Sequence, residues 1–270
     1  MYESYWHLKT KPFENTPDPR FIYYSLEHEE ALMRLLYAVR ERKGAAILTG
    51  EYGSGKTIIS RVLLQKLDEY RNYRVALIAY PRLDPVEFLE EILYHLGEKN
   101  LPPGKPALLR RLEELLHRNM KDGKDTVIII DEAHLVDNLE SFEELRLLLN
   151  FQLNNRFLLT LVLIGQPELK NKINQLPQFK QRLSVRYHLA HLNKRESRKY
   201  IAHRLHVAGN DSPLFTYGAT KLIFENSGGA PWSINNFCDM SLLVAFTKQS
   251  QKVGKRIVRE VISDLEEDFA

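Results

Sequence analysis

Apolar residues recur at helical spacing over 27–43, where Ala31, Leu32, Leu35, Leu36 and Val39 share one face. Ala45 to Leu48 then forms a short apolar run that ends in glycine, and a helical pattern resumes from Lys56 to Leu67. The order is strand, glycine loop, helix. The alternation continues with a strand at Val75 to Ala79, helical stretches over 85–96 and 106–120, and a buried strand at Val127 to Ile130. A helix over 138–150, a strand at Leu158 to Ile164, short helices and a brief apolar segment ending near Leu189 complete the series. Repeated β and α units predict a parallel sheet with helices on both faces. From about Leu192 no strand pattern remains. Helical segments near 194–207, 215–227, 232–248 and 255–268 follow, separated by Gly209 to Pro213 and by Gly228–Gly229. The expected organisation is an α/β domain over 1–191 and a small all-helical domain over 192–270. Residues 1–25, rich in proline and aromatics (KPFENTPDPRFIYY), read as an ordered, irregular arm of the first domain.

Composition narrows this picture little. Apolar residues make up 44% and charged residues 27% of 270 residues, which supports a sizeable core and argues against disorder. The net charge of +3 fits a phosphate ligand or an anionic partner, but it is also what a mixed, solvated surface gives. The single cysteine, Cys238, excludes an intrachain disulfide and a cysteine-rich metal site, and it suits a reducing compartment. The start, MYESYWHLKTKPF, lacks the apolar stretch of a signal peptide. The longest apolar runs, Phe157 to Leu159 and Leu161 to Ile164, are too short to span a bilayer. The expected location is cytoplasmic, or peripheral at the inner membrane through a partner.

Residues 50–57 read GEYGSGKT, matching GxxxxGK[ST] at every fixed position. Gly50, Gly53 and Gly55 allow a tight backbone that brings its N–H groups against phosphate oxygens. The helix that follows aims its N-terminus at the same anion. Lys56 is the expected cation for the β and γ phosphates, and the Thr57 hydroxyl the expected ligand for Mg²⁺. The candidate ATP cradle is Gly50, Glu51, Tyr52, Gly53, Ser54, Gly55, Lys56, Thr57 and Ile58. A chance glycine-rich turn would not need a strand before it and a helix after it, and both patterns are present.

The second motif is VIIIDEAH, residues 127–134. Its apolar residues predict a central strand, with Asp131 emerging at the carboxyl end, where open α/β sheets bind ligands. Asp131 is the expected second Mg²⁺ ligand, and Glu132 is placed to orient or deprotonate an attacking water. Alone, an Asp-Glu pair after an apolar run is a strand end meeting solvent; the complete loop upstream makes the chemical reading the better one. His134 is given no catalytic role.

Taken together, the opening KPFENTPDPRFIYYS, the GEYGSGKT loop, the DEAH box, LIGQPEL at 163–169, QRLSVRYHL at 181–189 and GGAPWSINNFCD at 228–239 resemble the ExeA / general secretion pathway protein A branch of the AAA+ ATPases. The resemblance covers nearly the whole chain. It implies a parallel five-stranded core sheet of order 5-1-4-3-2 with a helical lid, and a homo-oligomer, as a ring or filament. It also implies that Gln166 is a sensor 1 residue touching the γ-phosphate or the attacking water; a capping role before Pro167 is the alternative. Arg182 corresponds to an arginine finger supplied to a neighbouring subunit, with Arg186 as understudy; the alternative is a surface arginine in salt bridges. The arm is implied to cover the adenine, with Pro17, Pro19, Phe21 and Tyr23 near the base, while the residues by themselves suggest a core anchor. Both are compatible.

Two departures stand out. The family commonly follows Gly-Gly-x-Pro with a sensor 2 arginine, whereas here Pro231 precedes Trp232 and Ser233. Either the lid senses nucleotide weakly or another cation, such as Arg198 or Arg204, substitutes. Longer relatives continue into a transmembrane helix and a peptidoglycan-binding module, whereas this sequence runs only to Glu266-Glu267-Asp268-Phe269-Ala270. The expected function is Mg²⁺-dependent ATP hydrolysis that drives oligomer or partner remodelling, with a protein of a secretion or pilus system as partner. A DNA-bound regulator of transposition type is the first alternative, suggested by the basic segments KRESRKYIAHR and KVGKRIVR. DNA is less favoured because solvated helix faces explain those segments equally well. A nucleotide-dependent switch with little turnover is the second alternative.

Overall fold

The computed structural model describes residues 1–267. It resolves into two compact units. One is the α/β unit, residues 27–51 and 59–189; the other comprises residues 1–26 and 52–58 and the described residues from 190 onward, and contains the carboxyl-terminal helices.

In chain order the elements are α1 (Leu26–Arg40), β1 (Ala45–Gly50), α2 (Lys56–Glu69), β2 (Tyr73–Ile78), α3 (Pro85–His95), α4 (Lys105–Lys121) and β3 (Asp125–Ile130). They continue with α5 (Leu139–Leu148), β4 (Gln152–Leu153), β5 (Arg156–Phe157), β6 (Leu159–Gly165), α6 (Glu168–Asn174), α7 (Pro177–Arg182) and β7 (Leu183–Leu189). The helical unit follows with α8 (Lys194–Val207), α9 (Tyr217–Ser227), α10 (Pro231–Thr247) and α11 (Lys255–Glu267).

The sheet has five parallel strands in the order β2-β3-β6-β1-β7. Numbered among themselves from the β7 edge, these strands read 5-1-4-3-2, as expected. β1 and β6 are buried at every position, and β3 at all but its first, because helices cover a parallel sheet on both faces. β2 and β7 are the edges, and their burial alternates accordingly. Along β1, β3 and β6, Ala45, Ile47, Ile128, Ile130, Leu161 and Leu163 share one core with Phe88, Leu112, Phe142 and Phe179 from α3, α4, α5 and α7. The intervening residues point to the opposite face. The short antiparallel β4–β5 hairpin has no counterpart in the sequence reading.

The strand order reverses at β1. Its carboxyl end lies beside those of β6 and β3, since Thr49 pairs with Gly165 and Ile130 with Leu163. That edge is where parallel sheets of this type bind ligands.

In the second unit the arm does more than border the helices. Tyr2, Trp6, Leu8, Phe13 and Phe21 share one core with Tyr200, Ile201, Ile223, Ile234, Leu242 and Val258. The Trp6 indole N–H donates to the Leu242 carbonyl (3.1 Å), and Lys9 N–H donates to the Ala208 carbonyl (2.7 Å). Sequence patterning placed the arm with the α/β domain; its contacts are with the helices, because its aromatics complete a core that the helices alone leave open.

Candidate functional site

At the carboxyl end of β3, the Asp131 N–H donates to the Ile78 carbonyl (2.9 Å), extending the ladder by one residue. The Asp131 carboxylate is buried and held on both oxygens. Oδ2 accepts from the Ser60 hydroxyl (2.9 Å) and Oδ1 from the Glu132 N–H (3.0 Å). Ser60 belongs to α2, the helix that begins at Lys56.

Glu132 sits in the left-handed region, with φ +51° and ψ 34°. For a residue with a side chain this costs about 1–2 kcal/mol. The turn aims the side chain at His134, whose Nδ1 lies 3.3 Å from Glu132 Oε2. That nitrogen accepts the Gln166 backbone N–H (3.3 Å). Oε2 of Glu132 has no hydrogen-bond partner among the described residues. The turn itself is stapled from α6, where Lys172 Nζ donates to the carbonyls of His134 (2.8 Å) and Val136 (2.6 Å).

Gly165 makes this arrangement possible. A Cβ there would lie 3.0 Å from His134 N and 3.3 Å from His134 Nδ1. Gly165→Ala is expected to displace the His134 turn and to cost ~1–3 kcal/mol, the usual scale of overpacking, read as a lower denaturant midpoint. An unchanged midpoint would show that the turn yields freely.

The apex of the glycine loop belongs to the second unit. Gly53 and Gly55 have φ of +71° and +98°, values that side-chain-bearing residues rarely adopt. Ser54 and Lys56 are buried, and Tyr52 is exposed. Trp232, in the first turn of α10, rests on the loop: a Cβ at Gly53 would lie 2.9 Å from the Trp232 Cβ. The Tyr52 and Trp232 rings meet edge-on at 5.7 Å.

The remaining predicted residues fall in different places. Gln166 follows β6, half-buried, with its N–H on His134. Arg182 ends α7 at the amino edge of β7, with one bond of 3.4 Å to Asn150 Oδ1. Arg186 caps the same helix, donating to the carbonyls of Lys180 and Leu183. Phe21 is buried in the helical unit, with the Arg204 guanidinium 4.6 Å from its ring centre. Tyr23 lies near Tyr200 and His203. Arg204 is corrected as a stand-in for the missing lid arginine. It is buried and donates to the carbonyls of Pro12 (2.5 Å) and Glu14 (2.8 Å), so it anchors the arm. Sequence reasoning missed Ser60, Gly165 and Lys172. The glycine directly before Gln166 was a visible signal, whereas a helical serine and a surface-type lysine carry none.

The sequence profile of the AAA domain matches residues 39–173, a span that runs from before β1 through the glycine loop and the Asp131 turn to α6. The chain belongs to the AAA domain family. This AAA protein is 39% identical over 260 residues to general secretion pathway protein A of Aeromonas hydrophila, covering 94% of this chain and 46% of that one, so it spans about half of that relative's length. An uncharacterized HTH-type transcriptional regulator of Methanocaldococcus jannaschii is 29% identical over 96% of the chain and 73% of its own. Among solved structures, the ADPNP–ADP complexes of the Aeropyrum pernix ORC2 protein align with a TM-score of 0.69 at 16% identity, covering 94% of this AAA protein and 71% of ORC2. At that identity the likeness concerns the fold.

Proposed function

We propose that this protein binds ATP with Mg²⁺ and hydrolyses it to remodel its own oligomer or a protein partner of a secretion or pilus system. The observation that carries the reading is the Ser60–Asp131 hydrogen bond of 2.9 Å. It ties α2, the helix that follows the glycine loop in the chain, to the acidic strand end. The positive φ of Gly53 and Gly55 fits a backbone wrapped around phosphate. Thr57 and Asp131 would hold Mg²⁺, which supplies positive charge to the phosphates. Glu132 then serves as the base or orienting group for water, Gln166 as a polar contact near it, and Arg182 as a cation given to a neighbouring copy.

The likeness to general secretion pathway protein A supports a secretion-type partner. No helix among the described residues is long and apolar enough to cross a membrane. The alternative DNA-bound reading loses one of its cations, since Arg204 is buried against the arm.

Calorimetric titration with MgATP tests the reading. Lys56→Ala removes the main phosphate cation, and a charge-assisted hydrogen bond is worth ~1.5–3 kcal/mol, so affinity is expected to fall about 10- to 100-fold. Equal affinity in parent and variant would remove the loop from the site.

A further inference from the structure

Helix α10 opens at Pro231, which leaves Trp232 in its first turn, where backbone N–H groups have no partner within the helix. The Trp232 N–H is directed at the carbonyl of Gly53, at 3.4 Å. The Trp232 Cβ occupies the space beside Gly53 that a side chain there would need, 2.9 Å from an ideal Cβ. Its ring meets Tyr52 edge-on. His191 Nε2 lies 3.3 Å from the Tyr52 carbonyl, an oxygen that can only accept. Two consecutive loop residues are therefore held from within the helical unit by packing and hydrogen bonds.

The peptide plane gives this contact a chemical consequence. The carbonyl of Gly53 and the N–H of Ser54 belong to one trans peptide and point in opposite directions. Holding the carbonyl against Trp232 turns the Ser54 N–H away from α10. A loop that cradles phosphate works through the direction of such N–H groups.

We infer that Trp232 is a positioning residue for the glycine loop, fixing the Gly53–Ser54 peptide so that its N–H is preset for an anion. The inference rests on the nucleotide reading above and adds how the loop is held. Because the contact carries no net charge, it should be insensitive to salt, unlike an arginine at this position. The protein also contains its own reporter. Trp232 is 41% exposed, whereas Trp6, the other tryptophan, is 3% exposed with its indole N–H bonded to Leu242. A change in tryptophan emission on ligand binding is therefore assigned to Trp232.

The test combines amide hydrogen exchange without nucleotide, calorimetry with MgATP and tryptophan emission, on the parent, W232A and W232F. Exchange over residues 52–55 is expected to accelerate in W232A and to return toward the parent in W232F, which keeps an aromatic ring. MgATP affinity is expected to drop about tenfold in W232A, equivalent to ~1.4 kcal/mol. It should largely recover in W232F and remain salt-independent in its ratio to the parent. Emission of the parent should change in step with calorimetric saturation, and that change should vanish in W232F. Binding by the parent with unchanged emission, or equal affinity in W232A, overturns this inference alone. No calorimetric binding by the parent overturns the nucleotide reading and this inference with it.

Discussion

Glu132→Gln is expected to bind MgATP nearly as well as the parent and to hydrolyse it about 10²-fold or more slowly, the usual scale of a general base. The expectation follows from how the carboxylate is held. A glutamate in the left-handed region, at φ +51°, persists only where its surroundings over-determine it. Here they do: Asp131 Oδ1 takes its N–H, and the turn beyond is stapled by Lys172. This strained residue stands at the carboxyl edge of the sheet. Its Oε2 is buried without a hydrogen-bond partner among the described residues. An acceptor left open in that position is suited to take a proton from water. Glutamine keeps the size and removes the base. Calorimetry should show retained affinity while single-turnover hydrolysis slows. A parental single-turnover rate would assign Glu132 to the turn's architecture and leave the base elsewhere.

The parts legible in the sequence were those written in consecutive residues. β1, β3 and β6 are continuous apolar runs because both faces of the sheet are covered. The glycine loop and the Asp-Glu pair follow two of those runs directly. β7 was read only as a brief apolar segment near Leu189, because an edge strand alternates, and Ser184, Arg186 and His188 interrupt its buried positions. The arm was legible as ordered but not as part of the helical core, since its partners lie some two hundred positions away, as in the Trp6–Leu242 bond. Arg204 sits in a basic run and looked like a surface cation. Only the fold shows the carbonyls of Pro12 and Glu14 closing around it. Ser60 illustrates the same limit at the candidate site: one hydroxyl on an amphipathic helix has no pattern, yet it carries the bond from α2 to Asp131.

Arg182→Ala is expected to bind MgATP nearly normally and to hydrolyse it about 10³-fold more slowly, the scale of an arginine that stabilises phosphoryl transfer. The sheet dictates that any such role is played between copies of the chain. β7 runs parallel to β1, with Leu183 beside Ala45 and Leu189 beside Gly50. Arg182 therefore stands at the amino edge, whereas Gly50 and Asp131 stand at the carboxyl edge. At ~3.3 Å per residue the strand between them spans about 20 Å, beyond the reach of one side chain. Arg186 is bound to the carbonyls at the end of α7, so Arg182, with one long bond to Asn150, is the less committed cation. A planar guanidinium also matches the spread charge of a transferring phosphoryl group better than an ammonium does. Activity should therefore rise faster than linearly with protein concentration until the oligomer saturates. Mixing Arg182→Ala with Lys56→Ala should restore part of the activity, because one class of mixed interface regains an intact loop and an intact arginine. Co-assembly of the two variants, established first by light scattering and cross-linking, makes a lack of rescue decisive. A parental rate per subunit from a demonstrably monomeric sample would place the stabilising cation within the chain and exclude Arg182 from the reaction.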